Sequence, residues 1–162
     1  MKKIALFGKN FSEDFNNNIR TLFDIFRNHK AELIIHRDFA TFLSNQADIH
    51  LGEFKIFHDN ATLPSDTDFL FSFGGDGTFL ETLKIVQDRN IPLIGINTGR
   101  LGFLANISRE EICISVEDLF QGKYSLEDRT LIRLNNNNSI NEEFSIALNE
   151  ITIHKFGAGM IS

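Results

Sequence analysis

Apolar residues occur along this chain in two alternating patterns. Short continuous apolar runs are typical of buried strands, and apolar residues repeated every three or four positions are typical of helices with one buried face. The strands predicted in this way are residues 3–7, 32–36, 52–57, 68–73 and 92–97. The predicted helices are residues 12–29, residues 39–45, and two more that begin near residues 78 and 108. This order predicts an α/β fold with a mostly parallel sheet flanked by helices.

The starts of the last two helices are predicted from capping boxes, in which Ser or Thr is followed three residues later by Glu. The two pairs are Thr78 with Glu81 and Ser108 with Glu111. In a capping box the hydroxyl and the carboxylate each accept a backbone N–H group of the other residue. Gly122 is predicted to end the second of these helices, because glycine is favoured just beyond a helix.

The pattern changes near Tyr124 to extended segments. Residues 126–133 and 144–153 carry apolar residues at strand spacing, and the asparagines at 135–138 between them predict a turn. Two extended segments do not bury a core of their own. We therefore expect an α/β domain at residues 1–123, followed at 124–162 by the first strands of a β-rich, β-sandwich-like second domain that this chain does not complete.

Composition narrows the classes of function. The chain has 162 residues, of which 42% are hydrophobic, and its 17 Phe without any Trp predict a core built largely on Phe. The net charge of −6 argues against a nucleic-acid-binding protein with a broad basic surface. No apolar run approaches the roughly 20 residues that span a bilayer. Cys113 is the single cysteine, which fits a reducing compartment. We expect a cytoplasmic protein without nucleic-acid or membrane partners.

The first candidate for chemistry is the segment Gly74-Gly75-Asp76-Gly77-Thr78, between a predicted strand and a predicted helix. Glycines let the backbone approach a ligand, and a helix start supplies N–H groups that favour phosphate. Ligands also bind at this end of parallel strands. The same residues form ordinary turns as well. The flanking strand and helix favour a phosphate or nucleotide loop with Gly74, Gly75 and Thr78 as contacts.

Asp76 is unusual in such a loop, because a carboxylate repels phosphate. Its presence is explained if it coordinates a magnesium ion that bridges to phosphate, or if it accepts a proton from an attacking hydroxyl. Both explanations indicate phosphoryl transfer, and Asp76 is therefore the candidate catalytic residue. The P-loop pattern Gly-x-x-x-x-Gly-Lys-Ser/Thr does not occur in this sequence.

The second candidate is the glycine-rich segment at 95–103, which follows the strand predicted at 92–97. Asn97 donates and accepts hydrogen bonds, and Gly99 permits a close backbone approach, so both are candidate nucleotide contacts. A plain connecting loop has the same composition. From the residues alone, Phe103 is expected in the core.

The third candidate is the pair Asn149 and Glu150, which interrupts an apolar strand segment. Buried polar groups need partners, and the hydroxyls of a ribose would be suitable ones. A bulge or an exposed edge strand is the other interpretation. His154 has no partner at ligand spacing, and we predict no protein metal site.

These three segments, in this order, resemble the NAD kinase family from about Ile4 to the end of the chain. The resemblance rests on Gly-Gly-Asp-Gly-Thr at 74–78, Gly-Ile-Asn-Thr-Gly-Arg-Leu-Gly-Phe-Leu at 95–104 and Ala-Leu-Asn-Glu at 147–150. The first motif is shared with diacylglycerol and sphingosine kinases and with phosphofructokinases, whereas the second is far more specific. The resemblance implies transfer of the γ-phosphoryl group of ATP, or of polyphosphate, to the 2′-hydroxyl of the adenosine ribose of NAD.

The resemblance also implies roles for single residues. Asp76 would accept the proton and contact NAD, Gly77 would contact NAD, and Phe103 would pack near the adenine. Asn149 and Glu150 would hold NAD from the second domain. Mg²⁺ or another divalent cation would accompany ATP, and members of the family are usually homo-oligomers. The family's later Asp-Gly and Thr-Gly-Ser-Thr-Ala-Tyr segment is not in this chain, so we expect this polypeptide alone to be inactive or nearly so.

Two other functions are compatible with part of the pattern. A diacylglycerol-kinase-like lipid kinase shares the Gly-Gly-Asp-Gly-Thr loop, but the residues at 97–103 and 149–150 count against it. A non-catalytic nucleotide-binding module would bind nucleotide without turnover.

Overall fold

Strands and helices follow one another in the order that the apolar pattern predicts. The structure, a computed structural model, describes residues 1–45, 49, 51–99, 102–133 and 146–151. The strands are β1 Lys3–Gly8, β2 Glu32–His36, β3 Phe54–Phe57, β4 Phe69–Gly74, β5 Leu93–Asn97, β6 Leu131–Arg133 and β7 Ile146–Leu148. The helices are α1 Asn16–Asn28, preceded by a short 3₁₀ helix at Glu13–Phe15, α2 Arg37–Ser44, α3 Asp76–Val86 and α4 Ile112–Phe120. Between residues 3 and 122 each predicted element is present, with ends shifted by a few residues.

The first five strands form a parallel sheet in the order β3-β2-β1-β4-β5. The prediction of a mostly parallel sheet flanked by helices is confirmed. In chain order, β2 and β3 are added on one side of β1. β4 and β5 are then added on the other side of β1. Ligands of open parallel sheets bind where the winding reverses, at the carboxyl ends of the strands. In this sheet that position lies at the ends of β1 and β4.

The core lies on both faces of the sheet, because side chains along a buried strand alternate between its faces. Phe71 and Phe73 of β4 belong to the apolar cluster that also contains residues of α1, α2 and α4. Leu70 belongs to the opposite cluster, with Val86 of α3. The largest fully buried side chains include Phe15, Phe26, Phe39, Phe57, Phe71 and Phe73. The prediction of a Phe-rich core is therefore confirmed.

The capping box predicted at the start of α3 is wrong. The helix begins two residues earlier, at Asp76, with Gly75 as the N-cap. Thr78 is buried inside the first turn, and the carboxylate of Glu81 lies 2.7 Å from the Lys9 ammonium instead of returning to the helix start. Glycine at the N-cap makes a side-chain cap impossible, which the Thr-x-x-Glu spacing alone does not reveal.

The second predicted capping box is half formed. The Ser108 N–H group donates to the Glu111 carboxylate at 3.2 Å, as in a capping box. The Ser108 hydroxyl also donates to that carboxylate, at 2.7 Å, so it does not serve as the side-chain cap of the helix. The pair stabilises the turn before α4, which begins at Ile112. Gly122 has φ of +77° just beyond α4, and its N–H group donates to Leu119 O at 3.1 Å, as predicted for a helix stop.

The chain divides into a larger unit, Met1–Leu126, and a smaller unit, Glu127–Ser162. In the smaller unit β6 and β7 pair antiparallel, with Leu131 opposite Leu148. This pair fits the start of a β-rich second domain. The predicted boundary between residues 123 and 124 stays a prediction. The predicted turn at 135–138, the strand residues Phe144 and Ile153, and His154 lie outside the described residues.

The helices in the described ranges are short, and α1 has 13 residues. None of these helices combines the length and the apolar character that crossing a bilayer demands.

Candidate functional site

The first glycine turn (residues 74–78) joins β4 directly to α3. Gly74 has φ of +156°, and a Cβ atom at this position would lie 2.3 Å from Thr78 Oγ1. Thr78 is buried against this turn, so a side chain at position 74 would collide with it, and position 74 requires glycine. The Phe79 N–H group donates to Gly75 O at 3.1 Å, and this bond closes the first turn of the helix. The turn is therefore tight and places the start of α3 at the carboxyl end of β4.

The backbone at the start of α3 is open to solvent. Gly75 and Gly77 are exposed, and a Cβ atom added at either position would meet no other atom within 4 Å. The first N–H groups of an α-helix have no partners within the helix, and the helix dipole makes this end favourable for anions. The first turn of α3 thus has the properties of a phosphate-binding site.

The carboxylate of Asp76 binds three consecutive backbone N–H groups. The Phe103 N–H group donates to Oδ2 at 3.0 Å, and the N–H groups of Leu104 and Ala105 donate to Oδ1 at 2.9 and 3.1 Å. These hydrogen bonds, from Phe103 first and then Leu104 and Ala105, lower the pKa of Asp76 below its ordinary value because they stabilise the charged form. Asp76 is therefore ionised at neutral pH.

This contact provides a third reason for a carboxylate in the first glycine turn, which the sequence did not reveal. A carboxylate has about four acceptor positions, two on each oxygen. Oδ1 accepts two N–H groups and Oδ2 accepts one, so Oδ2 retains one acceptor position. One free position suits a hydroxyl donor. A magnesium ion that bound both carboxylate oxygens would have to displace N–H groups, because Oδ1 already accepts two of them.

The second glycine turn (residues 98–105) is described at 98, 99 and 102–105, and it passes very close to Asp76. A Cβ atom at Gly102 would lie 2.2 Å from Asp76 Oδ1 and 2.7 Å from Asp76 Cγ. Every residue type other than glycine would displace the carboxylate or the turn. Gly102 is thus required by the contact with Asp76.

Asn97 holds the second glycine turn from inside the protein. Its side chain is only 2% exposed. Its Oδ1 accepts the Gly99 N–H group at 2.8 Å, and its Nδ2 donates to Ala105 O at 3.3 Å. Asn97 is also the register partner of Gly74 across β4 and β5, which brings the two glycine turns side by side. The predicted nucleotide contacts of Asn97 and Gly99 stay predictions.

Phe103 does not lie in the core, so the expectation from the residues alone is wrong. Its side chain is 95% exposed, although its N–H group is bound to Asp76. The hydrogen bonds to Asp76 direct the N–H groups of residues 103–105 toward α3. The Phe103 ring is left on the solvent side. An exposed ring beside an ionised carboxylate is a feature that apolar patterning does not anticipate.

Two charged residues near the glycine turns were missed by the sequence analysis. Lys9 follows β1, its N–H group donates to Phe73 O at 3.1 Å, and its ammonium pairs with Glu81 of α3. Arg109 donates to Thr98 O at 2.6 Å. The position of Lys9 two residues after a predicted strand was a usable signal, since ligands bind at such ends. No comparable signal marks Arg109.

Asn149 and Glu150 belong to the smaller unit. β7 ends at Leu148 and both residues are exposed, so within the described residues they follow the strand and are not buried polar groups. Asn149 has φ of +65°, and its N–H group donates to Thr130 O at 3.0 Å. Asn tolerates this backbone region better than most residues, which explains an Asn at the turn. Their roles toward NAD stay predictions.

No metal site is formed by side chains alone in the described part of the chain. Among these residues, no three His, Cys, Asp or Glu side chains come together as a metal ion would require.

The chain is similar to known proteins over most of its length. The NAD kinase of Bacteroides fragilis is 37% identical over 153 residues, which are 94% of this chain and 52% of that protein. The NAD kinase of Cytophaga hutchinsonii is 39% identical over 151 residues, which are 93% of this chain and 51% of that protein. The chain thus spans about half the length of these curated relatives.

A solved structure and a family model agree with these relatives. The fold matches the crystal structure of yeast NADH kinase complexed with NADH at a TM-score of 0.67 and 16% identity, over 91% of this chain and 46% of that one. The family model described as ATP-NAD kinase N-terminal domain matches residues 9–124, which is well over half of the chain. From this match it follows that the chain belongs to the NAD kinase family.

Proposed function

We propose that this chain is the N-terminal part of an enzyme that transfers the γ-phosphoryl group of ATP, or of polyphosphate, to the 2′-hydroxyl of the adenosine ribose of NAD. The observation that carries the proposal is the position of the Asp76 carboxylate. It lies in the first turn of α3, is ionised, and has one acceptor position left on Oδ2. Family membership and the NAD kinases similar to this chain support the same reaction.

Asp76 acts as the proton acceptor in this proposal. Oδ2 accepts a hydrogen bond from the 2′-hydroxyl and directs its oxygen toward the γ-phosphorus. As the new oxygen–phosphorus bond forms, the bond from the γ-phosphorus to the bridging oxygen breaks and ADP leaves. The hydroxyl proton passes to the carboxylate and then to solvent. Because the carboxylate is ionised before the reaction, it can take up the proton, and phosphoryl transfer itself depends mainly on positioning and electrostatics.

The glycine turns supply the contacts for the phosphates and for NAD. The open backbone at Gly75 and Gly77 presents N–H groups of the α3 start to an anion. Mg²⁺ or another divalent cation enters bound to the phosphates of ATP and is part of the substrate. The exposed ring of Phe103 provides a surface on which adenine stacks. Asn149 and Glu150 are further NAD contacts in this proposal.

We also propose the location, the partners and the oligomeric state of the enzyme. The single cysteine fits a cytoplasmic protein, the net charge of −6 argues against a nucleic-acid partner, and the short apolar runs of the sequence argue against a membrane partner. The whole protein is a homo-oligomer in this proposal, as is usual in the family.

A coupled assay of NADP formation tests the proposal directly. It is run with ATP, Mg²⁺ and NAD on this chain and on the extended protein, meaning this chain continued to the length of its relatives. We expect NADP from the extended protein and little or none from this chain. If a folded extended protein bound nucleotide but formed no NADP, the binding-module function would replace the kinase. Phosphorylation of diacylglycerol instead would establish the lipid kinase.

Phe103→Ala tests whether the exposed ring binds NAD. Stacking of a base on an aromatic ring contributes about 1–3 kcal/mol, so we expect the KM for NAD to rise roughly tenfold in the extended protein. Stability should change by less than about 0.5 kcal/mol, since the side chain is exposed. Steady-state kinetics and thermal unfolding measure the two effects.

The matched control for Phe103 is Ile114→Ala, which removes another exposed apolar side chain, 68% exposed on α4. It should leave both the KM and the stability unchanged. Phe103→Tyr should retain most of the affinity for NAD. An unchanged KM in Phe103→Ala would show that the ring is not part of the NAD site.

A further inference from the structure

Besides the contacts of the buried Asn97 side chain, the second glycine turn is held near each of its two ends. At its far end the Asp76 carboxylate accepts the three N–H groups of residues 103–105. At its near end the Thr98 peptide group forms two further contacts. The Thr98 N–H group donates to Gly74 O at 3.4 Å, which is a weak bond, whereas Thr98 O accepts from Arg109 Nη2 at 2.6 Å. Arg109 therefore provides the stronger of the two contacts to the Thr98 peptide group.

Two contacts hold the guanidinium of Arg109 in place, and a third holds its backbone. Nη1 pairs with the carboxylate of Asp14. The guanidinium carbon lies 5.4 Å from the centre of the Phe15 ring, which is fully buried. The backbone carbonyl of Arg109 accepts from Asn18 Nδ2 of α1 at 3.0 Å. With both ends held, the side chain connects the 3₁₀ helix before α1 to Thr98.

We propose that Arg109 is a positioning residue that fixes the second glycine turn for NAD binding. This inference rests on the proposed function. Thr98 lies between Asn97 and Gly99, and Asn97 holds both the Gly99 N–H group and Ala105 O. A shift of Thr98 is therefore transmitted to both ends of the turn that carries Phe103. Arg109 touches neither NAD nor the transferred phosphoryl group in this proposal, and acts through Thr98.

The chemistry of arginine fits this role and that of lysine does not. The planar guanidinium donates from two separate nitrogens in fixed directions, here to Asp14 and to Thr98 O. A lysine ammonium at the same position keeps the positive charge beside Asp14 and Phe15. It does not reach both acceptors with the same geometry, since it is a single donor centre. Arg109→Lys thus removes the connection while it preserves the local charge.

Hydrogen exchange tests the connection independently of catalysis. In the extended protein, Arg109→Lys and Arg109→Ala should accelerate amide exchange in the segment 98–105 by roughly tenfold or more, as expected for the loss of about one charge-assisted hydrogen bond. The amides of β1 and β4 should keep their exchange rates. The control is Arg37→Ala, since Arg37 forms an exposed pair with its neighbour Asp38. Unchanged exchange in 98–105 would overturn the proposal, whatever the enzyme does.

Kinetics test the consequence for NAD. We expect Arg109→Ala and Arg109→Lys to raise the KM for NAD roughly tenfold while kcat changes by less than about threefold. Millimolar methylguanidinium should restore the KM of Arg109→Ala, and methylammonium at the same concentration should not. Faster exchange with an unchanged KM would overturn the link to NAD. If the unsubstituted extended protein formed no NADP, the proposed function would fail, and the exchange experiment alone would decide whether Arg109 anchors the turn.

Discussion

Asp76→Asn should reduce kcat for NADP formation by about 10³, the largest effect that we expect from a single substitution. An amide does not take up the hydroxyl proton, and proton acceptors of this kind contribute about 10²–10⁴ to the rate. The variant also disturbs the second glycine turn. If the amide oxygen of the new side chain accepts the N–H groups of Leu104 and Ala105, its NH₂ group faces the Phe103 N–H group, and two donors then oppose each other. We therefore expect a KM for NAD that rises several-fold as well.

The control for this substitution is Asp59→Asn. Asp59 also accepts a backbone N–H group, that of Thr62 at 2.9 Å, and it lies in the loop between β3 and β4. Its hydrogen bonds to Thr62 likewise lower its pKa. Asp59→Asn should reduce stability without an effect on kcat. A kcat for Asp76→Asn within a factor of about three of the unsubstituted enzyme would rule out Asp76 as the proton acceptor.

The pH dependence of stability provides a second readout of the Asp76 contact. Because the pKa of Asp76 is lowered in the folded state, its stabilising effect is fully present above the ordinary aspartate pKa of 3.8 and is lost as the pH falls through the folded-state pKa. The difference in thermal stability between the unsubstituted protein and Asp76→Asn should thus be constant at neutral pH and shrink below about pH 4. A difference that did not change with pH would contradict the charged contact.

Gly102→Ala should have the second largest effect. The added Cβ would lie 2.2 Å from Asp76 Oδ1, far closer than atoms in van der Waals contact. Asp76 cannot move away without breaking hydrogen bonds to three N–H groups, so either the carboxylate or the turn is displaced. We expect a loss of about 2 kcal/mol in the free energy of unfolding, within the range for overpacked sites. We also expect about a 10²-fold fall in kcat/KM for NAD, since Asp76 and Phe103 lose their relative position.

A double-mutant cycle identifies the cause of that loss. In an Asp76→Ala background the atoms that clash with the new Cβ are absent, so Gly102→Ala should then cost little further stability. Gly99→Ala is the matched control for the stability measurement, because a Cβ at Gly99 meets no other atom within 4 Å. Equal costs of Gly102→Ala in both backgrounds would show that the contact with Asp76 is not what requires glycine.

Most of the larger unit could be predicted from the sequence because its signals are local. The apolar run that became β2 was located to the residue, at Glu32–His36, and the parallel sheet followed from the alternation of strands and helices. The helix starts were less accurate. The capping-box spacing at Thr78 and Glu81 is satisfied by a helix that already begins at Asp76, since the pattern does not distinguish a cap from a first turn.

By itself, the sequence determined the fold class, the Phe-rich core and the two glycine segments that follow strands, because periodicity and turn chemistry operate over a few neighbouring residues. Only the tertiary structure decided which contacts those two segments make with each other. The hydrogen bonds from residues 103–105 to Asp76 join positions 27 to 29 residues apart, and the pair of Arg109 with Asp14 joins positions 95 apart. Such contacts depend on which strands lie side by side in the sheet. For that reason the exposure of Phe103 became visible only once β4 and β5 were adjacent, and the pair of Arg109 with Asp14 only once the segments before α1 and α4 were side by side.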